Sequence, residues 1–303
     1  METENKKNDD LDANPGLMKK LKDAFITEQS SEKQLTSVPA DSEYYDMTFK
    51  SRGTALILNH KKFSRMPERT GTDKDRDRMV EVLQNLGFTP KIYNDLTKKE
   101  VRNTLEQVAQ EDHTNEDCFV LVVMTHGETG YLFARDDSYK IDELWHEFTG
   151  SKCKSLIGKP KLFFVNACRG ELFDHGVTTM TRARVFVDQV DSVAQGEVTY
   201  AIPAAADILV MYSTFEGHYS WRNPENGSWF IEVLYEELKR YGDKRDLLTI
   251  LTGVNRRVAY EYQSNVPSNM KMNSKKQQPS IVSMLNKILY FTPKQSTSGQ
   301  QKK

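Results

Sequence analysis

Cysteine is scarce in this 303-residue chain: Cys118, Cys153 and Cys168 are the three, and no two of them form a CxxC pair. An odd, unclustered set argues against a disulfide framework and suits a reducing compartment, the cytoplasm, in which a free thiol survives. Net charge is also small, −1 at pH 7, which gives no electrostatic reason to expect nucleic acid or an anionic membrane as partner. No uninterrupted apolar run reaches membrane-spanning length, and the opening residues Met1 to Asp10 lack the apolar stretch of a secretion signal. No glycine-rich phosphate loop follows the first predicted strand, which argues against a doubly wound nucleotide-binding protein. No internal repeat is evident, and no cofactor or metal is expected.

What the chain does have is ample core-forming material, 38% hydrophobic residues, enough for one large α/β domain or two small ones. Leu162 to Val165 is an unbroken apolar run behind Pro160 and reads as a strand buried on both faces. It gives way abruptly to Asn166-Ala167-Cys168-Arg169-Gly170, as a chain does when it presents side chains at the carboxyl edge of a parallel sheet. Phe119 to Met124 is a second such strand, ending in Thr125-His126-Gly127-Glu128. A lone Cys reads first as a small buried hydrophobe. An imidazole and a thiol delivered by adjacent strands to one sheet edge instead make a nucleophile and its acid/base partner.

These residues resemble the caspase family. Its pentapeptide is Gln-Ala-Cys-(Arg/Gln/Gly)-Gly, with the His about 50 residues upstream. Asn166 to Gly170 matches four of the five positions, and His126 lies 42 residues before Cys168. Arg69-Thr70-Gly71-Thr72-Asp73 and the stretch Tyr219-Ser220-Trp221-Arg222-Asn223 through Trp229-Phe230 resemble the family's substrate-binding segments, the second in its executioner form. The similarity runs over residues 43 to 291. The departure is Asn166, where the family has Gln.

The resemblance implies a three-layer α/β sandwich, a mainly parallel sheet with helices on both faces, cleaved into large and small subunits. It implies Cys168 as nucleophile and His126 as proton donor to the leaving amine, with the backbone N–H groups of Cys168 and Gly127 holding the oxyanion. The Pro67 carbonyl would orient the imidazole. Arg69, Arg222 and the amide of Asn166 would form a primary pocket for an Asp side chain, an anion between two guanidinium groups. Tyr219 and Trp221, flanking Ser220, would wall a small second subsite, and Asn223 and Trp229 would frame a fourth. Residues 263 to 274 would form another wall, without the aromatic residue executioners often carry there.

Taken in order, residues 1–41 read as a short disordered prodomain, with Leu17, Leu21 and Phe25 as a weak helical face. They are too few for an adaptor-recruiting domain, which favours an executioner. Strands are predicted at Ala55 to Leu58, Phe88 to Tyr93, Phe119 to Met124, Leu162 to Val165, Ile208 to Tyr212 and Ile281 to Phe291. Helices are predicted at Asp75 to Leu86, after the Thr97–Glu100 capping box, around Ile141 to Phe148, and at Ser228 to Tyr241 and Asp246 to Tyr262. A hairpin is expected near Asp136-Asp137, and Asn226-Gly227-Ser228 reads as a turn rather than a glycosylation site. Residues 171 to 203 break the pattern, with Asp188 to Gly196 reading as an exposed loop, and 294–303 read as a polar tail. Cleavage after Asp191, the end of Asp188-Gln189-Val190-Asp191, would give a large subunit of 42–191 and a small subunit of 192–303, with 192–203 as linker remainder. Asp41 is the expected site of prodomain removal.

The expectation is therefore an Asp-directed cysteine endopeptidase, made as a zymogen, homodimeric and cytoplasmic. By resemblance it acts on protein substrates as an executioner of apoptosis, with an upstream initiator protease and inhibitor-of-apoptosis proteins as partners. The alternative is a caspase-like scaffold or regulator whose altered pocket at Asn166 has lost catalysis.

Overall fold

The computed structural model describes residues 42–176 and 203–294. The expected prodomain, both processing sites Asp41 and Asp191, most of the linker and the tail beyond Lys294 lie outside these residues.

Six strands form the central sheet: β1 (Thr54–Asn59), β2 (Thr89–Asn94), β3 (Phe119–Met124), β7 (Lys161–Asn166), β8 (Ile208–Tyr212) and β11 (Ser280–Ser283). Their order is β11-β8-β7-β3-β1-β2. Neighbours run parallel except β11, which pairs antiparallel with β8. β1, β3, β7 and β8 are buried along their whole length, as unbroken apolar strands of a parallel sheet should be. Short strands β4 (Gly127–Glu128), β5 (Tyr131–Phe133) and β6 (Ser138–Lys140) make a side sheet, and β9 (Arg222–Asn223) with β10 (Gly227–Ser228) makes a hairpin.

The period-two alternation of β3 splits the core. Val120, Val122 and Met124 face one side, against Met79, Val82 and Leu83 of α1 (Thr72–Asn85), Phe230 and Leu234 of α4 (Trp229–Tyr241), and Leu251 and Val254 of α5 (Leu247–Glu261). Phe119, Leu121 and Val123 face the other, against Val101, Leu105 and Val108 of α2 (Lys98–Ala109) and against Phe148. The result is the three-layer architecture expected. Each fully buried Leu, Val or Phe contributes about 1.5–3 kcal/mol, so the buried strands that carry the site are firmly anchored.

The reading along the chain needs three corrections. Helix α1 starts at Thr72, not Asp75, because Gly71 (φ +85°) turns the chain there and leaves no room for a Cβ, which would sit 2.7 Å from the Pro224 carbonyl oxygen. The helix expected over Ile141 to Phe148 is a single turn, α3 (Glu143–His146). The last strand does not run to Phe291. After Ser283 the chain leaves the sheet edge: Asn286 donates to Asp207 at 3.2 Å, Ile288 pairs with the 43–45 backbone, and Leu289 and Phe291 enter the core. The Thr97–Glu100 capping box forms as expected.

Candidate active site

In-register pairing of Met124 with Asn166 ends β3 and β7 at the same sheet edge. The Thr125 N–H then bonds the Asn166 carbonyl at 3.1 Å, so the two loops leave side by side. The contact is close. A Cβ on Gly127 would lie 2.5 Å from the Cys168 carbonyl oxygen and 3.0 Å from the Ala167 Cβ, so only glycine fits. Thr129 Oγ1 donates to the Arg169 carbonyl at 3.0 Å. On the far side Ser213 Oγ bonds both the N–H and the carbonyl of Ala167, at 3.2 and 3.0 Å. Gly170 (φ +150°) crosses Gly217, where a Cβ would come within 2.4 Å of the carbonyl oxygen. Cys168 is thus braced from both neighbouring strands.

His126 Nε2 lies 2.8 Å from the Pro67 carbonyl oxygen. A carbonyl only accepts, so Nε2 carries the proton and the neutral ring leaves Nδ1 as its base. The Phe63 ring packs 4.7 Å from the imidazole. Burial, assisted by the charges of Arg69 and Arg222, lowers the His126 pKa to about 4, against the opposing Pro67 bond. The Cys168 Sγ accepts the Ser220 N–H at 3.4 Å. Burial pushes the thiol up from its ordinary value, while the Ser220 bond and the two guanidinium charges pull it down. At neutral pH the resting pair is therefore thiol and imidazole rather than thiolate and imidazolium.

Arg69 is buried and donates to the His60 carbonyl at 3.1 Å and to Thr72 Oγ1 at 2.8 Å. Arg222, on β9, donates to the Thr70 carbonyl at 2.9 Å. Burial and then the Arg222 charge lower the Arg69 pKa, but a guanidinium stays protonated across physiological pH. Two cations bonded to neutral oxygens near a thiol can hold an anionic side chain. Asn166 is buried at the end of β7 and donates from Nδ2 to Ser228 Oγ at 2.9 Å.

Tyr219, Ser220 and Trp221 line the strand-like segment beside Cys168. Tyr219 stacks on Phe173 at 4.9 Å, Trp221 on Trp229 at 5.8 Å, and Trp229 meets Tyr262 at 5.4 Å. Asn223 Oδ1 accepts from the N–H groups of Glu225 and Asn226 at 2.8 and 2.9 Å, closing the hairpin turn. Phe173, Tyr262 and Gln277 escaped the sequence reading. Gln277 accepts the Trp221 N–H at 2.6 Å and donates to the Ser213 carbonyl at 2.7 Å. Its only signal, a polar side chain between two others, is indistinguishable from a surface glutamine.

Known proteins resemble this chain over most of its length. The Caspase domain family matches residues 52–290. The chain is similar to Caspase-1 of Spodoptera frugiperda, 41% identical over 279 residues that cover 90% of this chain and 91% of that protein. It is 43% identical to Caspase-1 of Drosophila melanogaster over 252 residues, 82% of this chain and 76% of the other. The crystal structure of Caspase-1 from Spodoptera frugiperda superposes with a TM-score of 0.79 at 42% identity, covering 86% of this chain and 98% of that one.

Proposed function

Because the chain belongs to the caspase family, and so is a cysteine-type endopeptidase, we propose that it cleaves protein substrates after Asp, with Cys168 as nucleophile and His126 as acid/base. One observation carries this: among the described residues the guanidinium groups of Arg69 and Arg222 hydrogen-bond only neutral oxygens, and they stand close enough to the thiol and imidazole to shift both pKa values.

The neutral resting pair dictates the order of events. An Asp side chain enters between Arg69 and Arg222 and fixes the following peptide bond over Cys168. As Sγ attacks the carbonyl carbon, the thiol proton passes to His126 Nδ1, and the oxyanion is held by the N–H groups of Cys168 and Gly127. Each such donor is worth about 3 kcal/mol of barrier. The C–N bond then breaks as His126 returns the proton to the leaving amine. Water, losing its proton to the same nitrogen, hydrolyses the thioester and the thiol is restored.

The finer reading is an executioner made as a zymogen. Asp188-Gln189-Val190-Asp191, with acid at both ends and Ser192 after it, is the activating cut, made by an initiator protease or by the enzyme itself, and Asp41 is the second. Tyr219, Trp221, Asn223 and Trp229 make the outer subsites. The edge strand β11, with Val282 half exposed, pairs with a second copy across a two-fold axis, and inhibitor-of-apoptosis proteins compete for the cleft in the cytoplasm. The test is turnover of an Asp-bearing tetrapeptide, abolished in Cys168→Ala and in Arg69→Gln. Absence of any turnover by the wild-type protein would leave a caspase-like scaffold as the reading.

A further inference from the structure

Asp75, on α1, is fully buried and has no part in the chemistry above. Its carboxylate accepts the Ser228 N–H at 2.9 and 3.1 Å and the Ser228 hydroxyl at 2.6 Å. Gly227 (φ +89°) closes so tightly on it that a Cβ there would meet Oδ1 at 2.2 Å. Ser228 stands opposite Arg222 in the β9–β10 hairpin. Its single hydroxyl proton is committed to Asp75, so Oγ can only accept, and what it accepts is the Nδ2 of Asn166 at 2.9 Å. The direction of every bond in the chain Asn166–Ser228–Asp75 is thus set by the charge at its far end.

We propose that Asp75, acting through Ser228, is a positioning residue that holds the Asn166 amide as a fixed donor beside the carboxylate pocket of Arg69 and Arg222, an inference that rests on the pocket reading above. Among the described residues this bond to Ser228 is the side-chain hydrogen bond that Asn166 makes. Were the Ser228 hydroxyl free, it would donate to Asn166 Oδ1, and the flipped amide would confront an incoming carboxylate differently.

The arrangement is proton-linked. Burial pushes the Asp75 pKa up to about 6, against the Ser228 bonds and the Arg69 and Arg78 charges. The charged groups around it are Arg69 before α1, Arg78 on α1 and Arg222 on β9, with Glu232 of α4 paired to Arg78 at 3.0 Å. The guanidinium groups of Arg69 and Arg222 stay protonated at pH 6. Below that pH Asp75 takes up a proton, stops demanding one from Ser228, and the amide is released. Affinity for Asp substrates is present above the Asp75 pKa and weakens as pH falls through it.

The experiment measures kcat and KM separately for an Asp tetrapeptide from pH 5 to 8, with melting temperature and alkylation of Cys168 as folding controls. Asp75→Asn, which can donate to Ser228 and so reverses the chain, should raise KM about tenfold at pH 7.5 with kcat within about twofold, and should lose the acid rise in KM. Ser228→Ala keeps the backbone bond to Asp75 and should raise KM by about three- to tenfold; it decides the matter if Asp75→Asn does not fold. Wild-type KM and wild-type pH dependence in the folded variants would overturn the positioning role, as would a loss confined to kcat. A wild-type protein that is alkylated at Cys168 yet cuts no Asp peptide would instead sink the pocket reading, and this inference with it.

Discussion

Gly127 and Cys168 are in backbone contact: a methyl group on the glycine would stand 2.5 Å from the cysteine's carbonyl oxygen. The obstacle is backbone, held by β3 and β7 on either side, so it cannot swing away as a side-chain tip could. Gly127→Ala must therefore push the two loops apart, moving the N–H groups proposed to bind the oxyanion. We expect kcat/KM to fall by about 10²-fold, equivalent to one lost donor, while the melting temperature drops by only a few degrees. Wild-type kcat/KM in this variant would remove Gly127 from the oxyanion site.

The resting state of the thiol is separately testable. Burial raises the Cys168 pKa while Arg69 and Arg222 restrain it, and His126, with a pKa near 4, is neutral at pH 7. The rate of alkylation by iodoacetamide, followed against pH, should therefore climb to a midpoint above the usual thiol value. Arg222→Gln removes a restraining charge and should move that midpoint higher still, while raising the His126 pKa. A midpoint near pH 6 in the wild-type protein would mean a preformed thiolate–imidazolium pair and a different first step.

How much of this was legible in the sequence follows from how local each cause is. The unbroken apolar runs of β3 and β7 need only neighbouring residues to be read, and their parallel pairing brings Cys168 and His126 to one edge. The Pro67 bond to His126 was accessible through family resemblance alone. Asp75 was not legible at all: between Lys74 and Arg76 it reads as a solvated helix charge, and its burial comes from Ser228, 153 residues away. The C-terminal segment misled for the opposite reason. Leu289 and Phe291 continue an apolar pattern, but tertiary packing draws them into the core rather than along the sheet edge.

The proposed activating cut follows Asp188-Gln189-Val190-Asp191, which has acid at both ends and the small residue Ser192 after it. Incubated with active enzyme, a Cys168→Ala zymogen should yield fragments ending at Asp191 and beginning at Ser192 by mass spectrometry. Asp191→Ala should stay uncut there and show less than about a tenth of wild-type activity. Efficient activation of that variant by cleavage elsewhere would reassign the site.

The proposed dimer rests on β11, an edge strand whose outer backbone groups have no partner strand among the described residues. An exposed edge is a template for another chain, and Val282 is 49% exposed there, as an interface residue would be in one copy alone. Val282→Asp should lower the sedimentation coefficient toward the monomer value and reduce activity in parallel. A fully active wild-type monomer at assay concentration would rule the dimer out.

Asn166→Gln probes the one departure from the family pentapeptide. Asn is shorter by one methylene, so its amide stands about 1.5 Å further from a carboxylate between Arg69 and Arg222, and its Nδ2 is already engaged by Ser228. Gln would give up that neutral bond, worth about 0.5–1.5 kcal/mol, and turn the longer contact of the Asn166 amide with the substrate carboxylate into a direct bond, worth about 1.5–3. The net gain of about 1 kcal/mol predicts a five- to tenfold rise in kcat/KM on Asp peptides. Burial sets the opposing term, since an added methylene in a filled site costs about 1–3 kcal/mol unless it finds open space; the pocket supplies that space only if residue 166 faces it. The wild-type pocket, roomier by one methylene, should also cut Glu peptides at a measurable rate, and Gln should suppress this. Arg69→Gln and Arg222→Gln should each cost more, about 2–5 kcal/mol, because a buried carboxylate then loses a charged partner. Unchanged rates on both Asp and Glu peptides in Asn166→Gln would show that residue 166 does not touch the substrate. A wild-type chain inert toward Asp peptides but awakened by Gln would make the native protein a scaffold whose pocket has been silenced at this one position.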